Sequence, residues 1–214
     1  MLAIIQARTS SKRFRNKVLK RIYGKPLIHH VILKLYKSKK ISKVIVATSV
    51  EKTDDKLIRF LKKINVEFFR GSLTNVAERV LKVALLKDKR FFLRISGDSP
   101  LLDYKVVDRA VSILYKNSKY DIVTNILPRS FPKGQSVEIV KTRTLKANLN
   151  KMSKSEKEHV TKYFYKNSKN FCIKNFKNKL KNKHIKLAVD TNKDLMKILK
   201  KLNKKQFENF SIYD

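Results

Sequence analysis

Residues 3–20, AIIQARTSSKRFRNKVLK, change character within a few positions. Apolar Ala3, Ile4 and Ile5 are followed by Arg8, Lys12, Arg13, Arg15, Lys17 and Lys20, with Thr9, Ser10 and Ser11 between them. Like charges crowded at the end of a buried strand repel one another unless an anion sits among them. The oxygens of a triphosphate would neutralise several of these bases, with hydroxyls and backbone N–H groups as further donors. A nucleic-acid backbone is the other anion to weigh. The stretch is not a P-loop, because G-x-x-x-x-G-K-[ST] is absent.

Two carboxylates stand out downstream. In RISGDSPLLD (94–103), Asp98 ends an apolar run, while Asp103 is placed to cap the following helix. In LAVDTNKDL (187–195), Thr191 and Asp194 have the spacing of a helix cap, a weaker relative of the usual Glu/Gln box, which leaves Asp190 spare. Two acids at strand ends opposite a basic loop suit a Mg²⁺ ion that also takes phosphate oxygens. The plainer reading is that each acid satisfies backbone amides in its own turn.

The elements that must position these groups alternate. Apolar runs predict strands at 2–6, 43–49, 66–71, 91–98, 121–125, 136–141 and 185–191. Amphipathic spacing predicts helices at 26–38 (opening on Pro26), 54–64, 75–87, 104–117 and 193–202, with two or three helical segments within 142–167. Repeated strand–helix alternation implies an α/β fold, a mostly parallel sheet with helices on both faces. Ligands of such sheets bind beyond the carboxyl ends of the strands. There lie Arg8 onward, Thr48 and Ser49, Arg70 and Gly71, Gly97 and Asp98, Asn125, and Asp190. Lys/Asn enrichment at 166–186 leaves open a mobile excursion or an irregular edge.

The 214 residues suit a single domain, 1–214. No apolar run approaches the ~18 residues that cross a bilayer, and the start lacks a secretion signal. One cysteine, Cys172, excludes an intramolecular disulfide and is expected in the core of an edge strand. These features lead to the expectation of a cytoplasmic protein with no membrane partner. The formal charge of +35 invites a nucleic-acid reading, but the 40 lysines and 12 arginines are spread over nearly every predicted helix. A dedicated groove would concentrate arginine with stacking aromatics, so no specific nucleic-acid partner is expected. His29 and His30 fall at ordinary helix positions.

IIQARTSSKRFRNKVLKRIYGKPLIHHVI resembles the opening of the cytidylyltransferases that activate acidic sugars, most closely the SpsF-like spore-coat-polysaccharide branch. The sialic-acid and Kdo enzymes are more distant relatives. FRGSLTNVAERV, RISGDSPLLDYKVVDRAV, DIVTNILPRSFPKGQSVEIV, EHVTKYFY and KLAVDTNKDL continue the likeness in order across roughly residues 3 to 202. The resemblance implies a Rossmann-like nucleotide-diphospho-sugar transferase fold and the reaction CTP + sugar acid → CMP-sugar + pyrophosphate. It implies that Arg8, Ser11, Arg13 and Lys17 hold the triphosphate, and that Asp98 and Asp190 hold Mg²⁺. Arg8, Lys17 and Asp98 would then be the catalytic groups. By the same likeness Arg70, Ser72 and Arg79 face base and ribose, and Asn125, Arg129, Gly134, Glu138, His159 and Thr161 line the sugar side. A homodimer is implied by the resemblance alone.

Three positions depart from the family pattern. Ser10 and Asn16 replace glycines of the phosphate loop, and Ser136 stands where the branch commonly has an acid. Asn tolerates the left-handed region better than most residues. Two competing readings keep the fold: a transferase using another nucleotide or a phosphorylated sugar or polyol, and a basic binding protein without catalysis.

Overall fold

The computed structural model describes residues 1–11, 13–179 and 184–213; Lys12, one of the six bases, lies outside them. In chain order the elements are β1 (Leu2–Gln6), β2 (Arg21–Ile22), β3 (Lys25–Pro26), α1 (Leu27–Tyr36), β4 (Lys43–Ser49), α2 (Asp55–Lys63), β5 (Phe68–Gly71), α3 (Val76–Leu86), β6 (Phe91–Ser96) and α4 (Tyr104–Lys116). There follow β7 (Ile122–Thr124), β8 (Glu138–Lys141), α5 (Thr142–Asn148), α6 (Lys154–Glu158), α7 (Lys162–Lys166), β9 (Ile173–Asn175), α8 (Asn192–Lys201) and α9 (Lys204–Glu208). Short 3-10 turns occupy Lys17–Leu19 and Lys52–Asp54.

Seven strands form one sheet in the order β5-β4-β1-β6-β8-β7-β9. Every neighbouring pair is parallel except the two that β8 makes, with β6 and with β7. The chain starts at the sheet centre, moves outward through β4 and β5, and returns through α3 to β6 on the other flank of β1. This reversal makes a switch point at the carboxyl ends of β1 and β6, where α/β sheets bind ligands. Gly97 sits there. Its amide donates to the Gln6 carbonyl at 3.0 Å, and an added Cβ would lie 3.0 Å from both Ala7 and Ile28 side chains.

The period-two alternation of the strands divides the core. Ala3 and Ile5 of β1, Val44 and Val46 of β4, and Leu93 and Ile95 of β6 join one apolar cluster with α1, α2, α4, α8 and α9. Leu2 and Ile4, Ile45 and Ala47, and Phe92 join the other with α3, α5 and Phe164 of α7. Helices on both faces are therefore what the strand pattern requires.

Two expectations are corrected. Residues 185–191 form no strand: the only pairing there is an isolated bridge between Lys133 and Lys186. Leu187 N–H donates to the Lys133 carbonyl (2.7 Å) and Val189 N–H to that of Asp98 (2.9 Å), so the segment is extended between two loops rather than laid along a neighbour. Cys172 is exposed, one residue before β9, which lies at the sheet edge. The Lys/Asn-rich stretch thus supplies an edge strand, and its residues 180–183 lie outside those described.

Two buried charges tie distant segments together. Asp54, fully buried, accepts hydrogen bonds from Thr9 N–H and Oγ1 (both 2.7 Å), Thr48 Oγ1 (2.9 Å), and Ser49 N–H and Oγ (3.1 and 2.5 Å). Burial pushes its carboxyl up, but the bonds from Ser49, Thr9 and Thr48 outweigh burial and hold it below the usual value. Lys34, 5% exposed, donates to the carbonyls of Phe207, Glu208 and Phe210 at 3.0–3.4 Å, latching the end of α9 onto α1. Burial, aided by Lys37, lowers it to about 8.

Asp54→Asn turns one acceptor oxygen into a donor and orphans either the Thr9 or the Ser49 N–H. The expected loss is about 2 kcal/mol, lowering the thermal midpoint by roughly 4–8 °C. The stabilisation from Asp54 is complete above its ordinary value of 3.8 and lost on acidification below it, a dependence the variant lacks. For Lys34, the folded chain gives up its proton near pH 8 and the unfolded chain near 10.5. Stability therefore rises with pH across that window, by roughly 3 kcal/mol. Denaturant titrations of Lys34→Met at pH 7.5 and 10.5 should show that rise missing.

Candidate active site

The basic loop leaves β1 and is clamped at Thr9 by Asp54. It closes where Asn16 N–H donates to the Thr9 carbonyl at 2.9 Å. Asn16 has φ 57°, in the left-handed region that glycine enters most readily. Asn therefore performs the glycine's backbone task, and Lys17 opens the following 3-10 turn. A cavity of about 460 Å³ lies against the loop, lined by Ser10, Ser11, Arg15, Asn16 and Lys56 among others. Arg15 and Lys56 make it cationic.

Lys17 is the centre of the arrangement. Its Nζ lies 2.5 Å from Asp98 Oδ2 and 3.4 Å from Asp190 Oδ1, all three side chains being less than a quarter exposed. Arg13 approaches Asp190 at 3.6 Å, and Lys186 Nζ lies 3.1 Å from its other oxygen. Ser96 Oγ donates to Asp98 Oδ1 at 2.7 Å. Burial raises the Asp190 carboxyl, but the ammonium groups of Lys186 and Lys17 outweigh burial and hold it below the usual range. The loop carrying Asp190 is fixed by Asp194, whose Oδ2 accepts from Asp190 N–H, Thr191 N–H and Lys186 Nζ at 2.7–3.0 Å. The Thr191/Asp194 box thus has both its arms.

The two spare acids of the sequence therefore meet at the Lys17 ammonium, 81 and 173 residues along the chain from it. Hard carboxylate oxygens there fit a Mg²⁺ ion. Among the described residues no group of three or more His, Cys, Asp or Glu is placed to hold a metal ion, so Asp98 and Asp190 would be a two-carboxylate set of the kind that binds Mg²⁺ together with phosphate.

On the flank of β4 and β5, Arg70 is committed to protein groups. It donates to the carbonyls of Ser49, Val50 and Glu51 at 2.9–3.1 Å and pairs with Asp55 at 2.8 Å, so it braces the loop after β4. Ser72 Oγ accepts from Asn75 N–H, and its carbonyl accepts from Arg79. Arg79 is 2% exposed, and its Nε has no partner. Burial lowers it to about 10, with Asp54 opposing and neighbouring Arg8 adding to the effect.

The sugar-side residues separate into two groups. Asn125 is fully buried and spends its amide on the loop backbone, donating to the Gln135 carbonyl (2.6 Å) and accepting from Val137 N–H (3.0 Å). Glu138, 1% exposed, pairs with Arg94 and accepts from Thr161 Oγ1 and Tyr165 Oη, both at 2.6 Å. Gly134, at φ 102°, lies where a Cβ would strike the backbone of Leu187 and Ala188. These groups shape the wall. Arg129 and His159 are less committed: Arg129 donates to Ser136 Oγ at 3.0 Å and keeps a buried, unpartnered Nη1, and His159 is exposed.

Sequence reading missed Asp54, Arg94 and Gln135. Gln135 is fully buried and bridges the loop after β7 to the Asp98–Asp103 stretch, through Asp103 N–H (2.8 Å) and the Leu101 carbonyl (2.5 Å). Arg94 alone left a signal, a charge inside an apolar strand.

A sequence description of the Cytidylyltransferase family matches residues 2–211. An uncharacterized protein of Methanocaldococcus jannaschii is 34% identical over 197 residues, 91% of this chain and 79% of its own length. The spore coat polysaccharide biosynthesis protein SpsF of Bacillus subtilis is 29% identical, over 76% of this chain and 69% of its own. The 3-deoxy-manno-octulosonate cytidylyltransferase of Geotalea daltonii is 34% identical over 54% of this chain and 45% of its own. Among solved structures, a cytidylyltransferase of Leptospira borgpetersenii superposes with TM-score 0.86 at 27% identity, covering 99% of this chain and 98% of that one. A CMP:2-keto-3-deoxy-manno-octonic acid synthetase complexed with CTP shares the fold, with TM-score 0.73 at 16% identity over 93% and 96% of the two chains. Matched from its first strand to its last turns, the chain belongs to the cytidylyltransferase family and is a nucleotidyltransferase.

Proposed function

We propose that the chain transfers CMP from CTP to a small acidic sugar of the nonulosonic type, releasing pyrophosphate in surface-polysaccharide synthesis in the cytoplasm. The observation that carries this reading is the Lys17 ammonium between the Asp98 and Asp190 carboxylates, at the switch point and beside the basic loop. The names of the SpsF and 3-deoxy-manno-octulosonate relatives support the substrate class.

Asp98 and Asp190 would hold Mg²⁺, which supplies charge neutralisation and alignment for the phosphates. A sugar hydroxyl attacks the α-phosphorus, and the bond from that phosphorus to the bridging oxygen of pyrophosphate breaks in line. Lys17 and Arg8 take the negative charge that grows on the leaving oxygens. Ser11 and Arg13 hold the outer phosphates, while Asp54 fixes the loop so that these donors need no reorganisation. Ser72 and Arg79 bound the base and ribose side, with Arg70 acting through the loop it braces. Arg129 and His159 meet the sugar against the wall that Asn125, Gly134, Glu138 and Thr161 form.

Thermal unfolding with CTP, UTP, GTP or ATP, each with and without Mg²⁺, tests the nucleotide. CTP with Mg²⁺ at 100 times its dissociation constant should add about 2.7 kcal/mol and raise the midpoint by roughly 5–10 °C. Equal, metal-independent shifts with every nucleotide, fading in salt, would replace this reading with a generic anion surface. Asp98→Asn should abolish pyrophosphate release from CTP and 3-deoxy-manno-octulosonate or sialic acid while preserving the circular dichroism spectrum. Lys17→Met should lower kcat by about 10²–10³.

A further inference from the structure

Arg8 does not face the loop uncompensated. Its Nη2 donates to Glu158 Oε1 at 2.9 Å, across 150 residues of sequence. Glu158 ends α6, which packs on α3, the helix that carries Arg79. Arg8 sits close enough to Arg79 for its charge to help lower the Arg79 guanidinium. Glu158 is thus the acid that offsets a cation standing beside a second cation.

Two ion pairs of this region differ in how easily they part. Arg94–Glu138 is buried, at 15% and 2% side-chain exposure, and locked by Thr161 and Tyr165. Arg8–Glu158 is 36% and 43% exposed, so solvent screens it and separating it costs little. The backbone after Glu158 is also unusual. Val160 has φ 42°, a strained conformation for a β-branched residue, in a turn closed by Thr161 N–H to the His159 carbonyl at 2.5 Å. The strain persists because Val160 is buried with Leu145, Met152 and Phe164, and Thr161 is tied to Glu138. Thr161 is therefore fixed to the sugar-side wall, and Glu158 stands at the other end of the same turn, half-exposed and paired with Arg8.

We propose that Glu158 is the exchangeable counter-ion of Arg8, which the triphosphate displaces. Glu158 acts as a positioning residue on binding, apart from bond making. The inference rests on Arg8 contacting the triphosphate.

Calorimetric CTP binding, with Mg²⁺, to wild type, Arg8→Gln, Glu158→Gln and the double variant separates the two statements. Glu158→Gln should tighten CTP two- to five-fold, because nothing then competes for Arg8. In the Arg8→Gln background the same change should have no effect, and Glu158→Asp should restore near wild-type affinity. Unchanged or weaker binding by Glu158→Gln, with Arg8→Gln weakened as expected, overturns the inference and leaves the cradle intact. Wild-type CTP affinity in Arg8→Gln overturns the cradle reading itself. Matching far-ultraviolet spectra exclude a folding effect at this half-exposed site.

Discussion

The Asp54 carboxylate carries the geometry on which everything at the switch point depends. It lies between the end of β4 and the start of the basic loop, and its two oxygens receive five donors from Thr9, Thr48 and Ser49. A carboxylate moved out of water is costly unless its lone pairs are filled, and here they are filled by the segments that have to be held. The loop from Thr9 to Asn16 is consequently a fixed scaffold at its origin. Its cations are presented from a rigid base, which is the condition for electrostatic stabilisation without reorganisation.

Around that anchor the site carries its own counter-charges. Lys17 is shared by Asp98 and Asp190, Arg13 also reaches Asp190, Arg8 is offset by Glu158, and Arg70 by Asp55. A cluster of bases this dense would repel itself if each stood alone. The acids compensate it while leaving groups with different degrees of commitment. Buried Arg94–Glu138 is structural, whereas Arg8–Glu158 is half-exposed and screened by solvent. The net charge of +35 is spread over helices and loops along the whole chain and says little about this centre.

How well each part could be read in the sequence follows the range of the interaction that made it. The strand at 43–49 and the helix beginning after Asp103 appear where their local patterns place them, and Asp103 does cap by accepting from Lys105 N–H. Asn16 in the left-handed region is likewise a local property of the residue. Residues 185–191 mislead because Leu187 and Val189 alternate as in a strand, yet their partners are the loops at Lys133 and Asp98. Cys172 misleads because an edge strand of three residues has an outside that its apolar neighbours do not announce.

The sequence by itself determined the alternating α/β order, the two-faced core, the presence of a cationic loop after β1 and two acids that no helix cap consumes. Each of these is written in spacing of one to four residues, the range over which a strand or helix repeats. Tertiary structure alone decided which charges meet. Lys17 with Asp190, Arg8 with Glu158, and Gln135 with Asp103 close loops of 173, 150 and 32 residues. Such contacts have no local periodicity, because they arise only when the sheet order brings the carboxyl ends of β1 and β6 side by side. The same closure separates the acids that meet Lys17, Asp98 and Asp190, from those that brace the walls, such as Glu138.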